Sequence, residues 1–313
     1  MANLHIQLFG IPLILCHGRA VAGLEARKVL ELFCYLLLYR ERPHSRESLA
    51  NVLWSNISTT QSKKYLRQTL WQLQAALNQQ KPSAGDNCLI VAESDYVHSR
   101  LTMDAWLDIA LFEETFNRVQ GVAGRNLDAV RFQSLRDAVN LYRGDLLVSW
   151  YQDWCLYERE RYENMYLAML DKLMDYCEAH REYELGLHYG DQALKIDPAR
   201  ERAHRRLMRL HCAAGDRTAA LRQYTQCADA LRRELAVKPS KRTIELHEQI
   251  RAELLPNRQQ PPSPGGSPTF QANPPWSDML TLLKQIQTAL AGIQAQIQHE
   301  IQAGAQAIDP RSE

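Results

Sequence analysis

The sequence predicts a mainly helical protein: a small α+β module at the amino terminus, an all-α domain of helical repeats behind it, and a further helix near the carboxyl end. Three observations carry this. Short β-prone runs flank three amphipathic segments in the first hundred residues. Long amphipathic segments then follow one another with a 34-residue offset, Leu173 matching Leu207, Glu182 matching Asp216 and Leu187 matching Leu221. Beyond a stretch with seven prolines lies a last apolar seam. The organisation read from these is 1–103, 104–255, a Pro-rich linker at 256–275 and an amphipathic helix at 276–303.

LHIQLFG and PLILC read as two short strands punctuated by Gly10 and Pro12. From Leu24 to Tyr39, apolar residues recur at three- and four-residue steps (Val29, Leu30, Phe33, Leu36, Leu37), the spacing of one helix face. Pro43 ends that run. Ser45 stands where an N-cap would start a second helix through Trp54, and Glu47 complements its dipole. The polar stretch Ser55 to Thr60 leads into a third helix. After Pro82 and Gly85, CLIVA and YVHSR form a hairpin tipped by Glu93-Ser94-Asp95. Strands, three helices and a closing hairpin are the parts of a winged helix.

The third helix, Gln61 to Leu77, has two incompatible faces. At 100° per residue, Leu66, Leu70, Leu73 and Leu77 fall within about 60° of one another. The opposite side carries Gln61, Lys64, Gln68 and Trp71, with Arg67 on its shoulder. A docked helix showing cations and amides outward suits the major groove: cations meet phosphate or guanine, and Gln can pair with adenine. A solvated helix face is the competing reading.

Helical segments are expected at about 105–120, 126–142, 153–179, 183–196, 199–213 and 217–235. The 34-residue period is that of tetratricopeptide-type helix pairs, which stack into a superhelix that binds protein. Pro239 lies 41 residues after Pro198, which predicts a longer last helix in the second pair. In the tail, Leu283, Ile286, Leu290, Ile293 and Ile297 mark a seam of about three heptads, read as an oligomerisation surface, with a docking site for another protein or a frayed tail as the alternatives.

Net charge is +1, but residues 1–103 carry eleven Lys/Arg against seven Asp/Glu, and residues 104–255 carry 23 against 25. A basic module beside a near-neutral one suits a polyanion for the first and protein for the second. No apolar run approaches the roughly 18 residues of a membrane span, and no secretory signal opens the chain. Seven scattered cysteines without a CxxC pair predict reduced thiols in a cytoplasm.

LHIQLFGIPLI, LEARKVLELFCYLLLYRERPHSRESLANVLW and SKKYLRQTLWQLQAAL resemble the OmpR-like DNA-binding domain of SARP-type bacterial activators. LYRGDLL, DWCLYERERY, AHRRLMRLHCAAGDRTAALRQY and ELAVKPSKRTIELHEQI resemble the bacterial transcriptional activator domain, and together the matches span about 1–252. The resemblance implies a sequence-specific activator that reads direct repeats near a promoter. Its recognition helix aligns with Lys63, Lys64, Arg67, Gln68 and Trp71. The turn that often faces RNA polymerase or its sigma factor aligns with Ser55, Asn56, Ser58, Thr59 and Thr60. Two positions depart from the pattern. Trp71 and Gln74 stand where small or basic residues are common, and the hairpin lacks the usual Gly before Tyr96.

Arg46 and Arg100 are further candidates for DNA phosphate, as are Tyr96 and His98. Glu158 and Glu160, interleaved with Arg159 and Arg161, read as an ion-pair network. Trp150, Tyr151, Trp154 and Tyr157 read as core or groove lining. His180, His188, His204 and His211 lack metal-ligand spacing, no GxxxxGK[ST] loop occurs, and no cofactor, metal or enzymatic activity is expected. The expected partners are double-stranded promoter DNA, polymerase or sigma factor, and a second copy of the chain. The alternative is a repeat-type adaptor whose winged helix touches protein instead of DNA.

Overall fold

The computed structural model describes residues 4–78, 89–100 and 105–252. The chain opens with β1 (Leu4–Gln7), β2 (Leu13–Cys16) and β3 (Arg19–Ala20), joined antiparallel. β1 buries Ile6 and faces Gln7 outward, the alternation expected of a strand with one covered side. Three helices follow: α1 (Arg27–Leu38), α2 (Arg46–Leu53) and α3 (Thr59–Asn78). Ser45 is the N-cap of α2, accepting from the Ser48 amide at 3.1 Å. The hairpin consists of β5 (Ile90–Ala92) and β6 (Tyr96–Ser99), and β4 (His44–Ser45) pairs with β6 on its other side. This is the winged helix expected.

Three strands escaped the sequence reading. β3 and β4, of two residues each, are too short to show a pattern. β7 (Ala105–Leu107) occupies the start of a segment expected to be helical, and it pairs parallel to β1, Ile6 opposite Leu107. Tertiary pairing outweighs helical propensity there, and Trp106 stacks on His5 at 3.9 Å. The helix begins one residue later as α4 (Asp108–Val119).

The helical domain continues with α5 (Ala129–Val139), α6 (Asp153–His180), α7 (Tyr183–Ile196), α8 (Glu201–Ala213), α9 (Arg217–Leu235) and α10 (Lys241–Arg251). The 34-residue offset is real at the level of structure. Leu173 and Leu207 are both buried, and Glu182 and Asp216 are the N-cap residues of α7 and α9. α9 has 19 residues to the 14 of α7, the longer helix that Pro239 implied. α10 was not anticipated as a separate helix; it closes the stack by burying Leu246 and Ile250 against Met208 and Ala220.

The winged helix and the helical domain share one core. Their junction is built around Asp108, whose carboxylate accepts from the amides of Leu8 (2.7 Å) and Phe9 (2.9 Å) while also accepting from its own helix at Ile109 (2.7 Å). Residues 8–10 then run beside the segment after α5. The Leu147 amide donates to Leu8, that of Val148 to Gly10, and that of Gly10 to Asp145, each at 2.9 Å. That segment is strained, with Leu147 and Ser149 at φ of 50° and 71°. Arg159 holds it by donating to the carbonyls of Leu146 (3.1 Å), Leu147 (3.0 Å) and Trp150 (3.0 Å). Phe9 fills the junction, its ring within 5.0 Å of Phe112 and Tyr142 and 5.5 Å of Tyr162.

Burial raises the Asp108 carboxyl to about 6, against the three amides that favour its charged form. Replacing Asp108 with Ala leaves those donors unsatisfied and should cost about 2–3 kcal/mol in urea unfolding. Because the folded value lies above the ordinary 3.8, the titration contributes stability that is present below 3.8 and lost as pH rises through 6. The stability of the wild type relative to Asp108→Asn, which cannot titrate, should therefore fall between about pH 4 and 6.

Candidate nucleic-acid interface

α2 and α3 form the helix-turn-helix pair, and packing decides which side of α3 is free. Leu66, Leu70, Leu73 and Ala76 are buried, and Leu77 packs half-buried against the same core. Lys63, Lys64, Arg67 and Gln68 are exposed, and Trp71 is 69% exposed. The helical domain, though it shares the winged helix's core, leaves this side open. Lys63 is the one of these cations with a recorded partner among the described residues, Glu47 of α2 at 3.0 Å. That pair joins the two helices at the surface, where it adds little to stability. Trp71 is open to solvent, so a packing role against the hairpin is not its use in the free protein.

The turn between α2 and α3 is exposed at Ser55, Asn56 and Ser58. Thr59 and Thr60 belong to the first turn of α3 instead, and the Ser62 hydroxyl donates to the Thr59 carbonyl at 3.0 Å. Lys28 of α1 anchors the preceding helix end, donating to the Leu53 carbonyl at 2.6 Å with its ammonium over Trp54.

Arg46 serves the hairpin. Its guanidinium donates twice to the Glu93 carbonyl, at 3.1 and 2.9 Å, and its amide donates to Asp95 at 3.0 Å. The Glu93 amide closes the tip on the Tyr96 carbonyl at 2.8 Å. A turn without glycine is thus held from the start of α2. Arg100 is exposed at the end of β6, its amide paired with Leu89 at 2.8 Å; Tyr96 is half exposed and His98 half-buried. Ser99 points inward and donates to the Leu36 carbonyl at 2.8 Å.

Sequence reasoning missed the network behind α1. Glu113 of α4 receives Arg40 from the turn after α1, Arg161 from α6 (2.6 Å) and the Tyr162 hydroxyl (2.8 Å). Burial alone would raise the Glu113 carboxyl, but the two arginines and the tyrosine hold it below the usual range. Arg161 also meets buried Glu158 at 2.7 Å. The interleaved Glu/Arg run had indeed read as a network, but its reach to Arg40 lies beyond any local pattern. Tyr151, just before α6, and Tyr157, on its first turns, read as core or groove lining, are instead 74% and 68% exposed. The seam Leu283, Ile286, Leu290, Ile293 and Ile297 and the linker lie outside the described residues.

Residues 107–251 match the family model for the bacterial transcriptional activator domain. Among solved structures, the chain is similar to Mycobacterium tuberculosis EmbR in complex with a low-affinity phosphopeptide. The TM-score is 0.60 at 19% identity, covering 83% of this chain and 66% of that one. No curated protein matches significantly. The domain match and the winged-helix fold bear out the resemblance to SARP-type activators. No helix among the described residues is long and apolar enough to cross a membrane.

Removing the Arg46 guanidinium (Arg46→Ala) should loosen the hairpin tip. Losing about 1 kcal/mol of hydrogen bonding corresponds to roughly fivefold faster amide exchange at residues 93–96, with α3 unchanged.

Proposed function

We propose that this chain, whose residues 107–251 match the bacterial transcriptional activator domain, is a SARP-type regulator that binds promoter DNA sequence-specifically and activates transcription there. One observation carries this reading: Lys64, Arg67, Gln68 and Trp71 face solvent along one side of a helix whose leucines are buried. Lys64 meets phosphate, Arg67 and Gln68 read base edges, and Trp71 lies against a base or sugar. Lys63 contributes phosphate contact on leaving Glu47. Arg100 touches the backbone from the wing, while Arg46 sets the wing's position.

The exposed turn at Ser55, Asn56 and Ser58, with Thr59 and Thr60 at the helix start, is the surface for polymerase or sigma factor. The helical repeats take protein partners, and the seam from Leu283 to Ile297 joins copies of the chain. Such a protein works in the cytoplasm.

Genome-wide immunoprecipitation of the tagged chain should recover promoter fragments, and footprinting on one of them tests the assignment. Arg67→Ala or Gln68→Ala should cost about 1–3 kcal/mol and relax preference at particular base pairs. Lys64→Ala should weaken binding evenly across sequences and reduce the salt slope by about one. Footprints of the Arg67 and Gln68 variants indistinguishable from wild type would overturn the assignment. Failure to retard any promoter fragment at low salt would favour the adaptor reading.

A further inference from the structure

Charge is unevenly divided along the helical domain. Residues 104–199 carry ten Lys/Arg against eighteen Asp/Glu, whereas residues 200–252 carry thirteen against six. Part of the basic excess is spent internally: Arg200 and Arg202 meet Asp171, Arg206 meets Asp175, and Arg209 meets Glu178. What remains outward gathers at the turn joining α9 to α10. Arg232, Arg233, Lys238 and Arg242 are exposed there, and Lys238 and Arg242 have no recorded ion pair among the described residues. Between them Leu235 and Val237 are 58% and 50% exposed. Aliphatic side chains gain nothing from a phosphate backbone, so this mixture suits a protein surface that is acidic and apolar.

The chain itself carries such a surface. On the first turns of α6, Asp153, Leu156, Tyr157 and Glu160 lie on one side at helical spacing. All four are exposed, and neither carboxylate has a recorded ion pair among the described residues. Tyr151, two residues before α6, is 74% exposed as well. The local field is negative: beyond the effect of its own burial, Glu163 has its carboxyl raised by Asp145, Asp197 and Glu160.

We propose that the cationic turn between α9 and α10 of one copy docks on the acidic, tyrosine-bearing side of α6 in a second copy. Arginine against tyrosine adds cation–π attraction to the charge pairing. The two surfaces belong to different parts of the chain, so the contact is head-to-tail and leaves one surface of each kind free at the ends of a row. This deepens the self-association reading above, resting on it only in that two copies meet, and it puts the contact outside the carboxyl-terminal seam.

Sedimentation velocity on the full chain tests it, in wild type and in a Leu290→Asp, Ile293→Asp background that removes the seam. In that background, association should persist and weaken as salt rises from about 50 to about 500 mM, where surface charges are screened. Adding Lys238→Glu with Arg242→Glu should weaken it at least tenfold, and so should adding Asp153→Asn with Glu160→Lys. An equal mixture of the two patch variants should regain association and stop at a 1:1 pair, because each supplies the surface the other lacks. A monomeric seam variant at every concentration would overturn the proposal and leave the seam as the contact. Patch variants that associate like their parent, or a mixture that stays monomeric, would overturn it as well. Retardation of promoter fragments by the same proteins reports separately on α3, so a failure of DNA binding cannot be mistaken for a failure of this contact.

Discussion

A single buried carboxylate governs how the two halves of this protein meet. Asp108 begins α4, yet it spends one oxygen on the amides of Leu8 and Phe9, at the end of β1. Those amides have lost their sheet partners where β1 ends, and burying them unpaired would be costly. Once Asp108 takes them, Phe9 is placed among Phe112, Tyr142 and Tyr162, and the strained segment at 147–149 lies within reach of Arg159. The winged helix is thus part of the helical domain's core and not a bead on a tether.

That union explains the character of α1. A surface helix buries one stripe, but α1 buries nine of its twelve residues, including Glu31 and Cys34. One side packs against α3 and the other against the helical domain, where Tyr35 meets Trp154 edge-on at 5.4 Å. Buried Glu31 lies beside the Lys28 ammonium at 2.9 Å. With α1 held from behind, α3 has a rigid floor, and its cations are presented by packing instead of by their own pairing. A site on a supported helix keeps its geometry better than one on a loop.

Within the repeats, helix contact combines close approach with charge. A side chain at Gly190 would place its first carbon 2.3 Å from Leu207, so glycine lets α7 and α8 approach closely there. On the other side of α8, arginines pair with Asp171, Asp175 and Glu178 at successive turns of α6. Such half-buried pairs specify register more than they stabilise. They also leave the acidic and basic excess of the two halves displayed on different surfaces.

Much of this was legible in the residues alone. Period and caps located α2, α3 and the repeats, since Ser45, the leucines of α3 and the 34-residue offset are local signals. The outward side of α3 followed from the same arithmetic, because a narrow stripe can bury only one way. Three very short strands were not legible: β3, β4 and β7 exist because a partner strand offers hydrogen bonds. Nor could Arg46 be distinguished from a free phosphate contact, since its acceptor at Glu93 lies 47 residues away. The buried back of α1, the Arg40–Glu113–Arg161 network and the exposure of Tyr151 and Tyr157 depend on which surfaces meet across the junction. Sequence periodicity determines which side of an element is apolar, but only the tertiary structure decides how many of its sides are covered. Burial is a property of neighbours far apart in the chain.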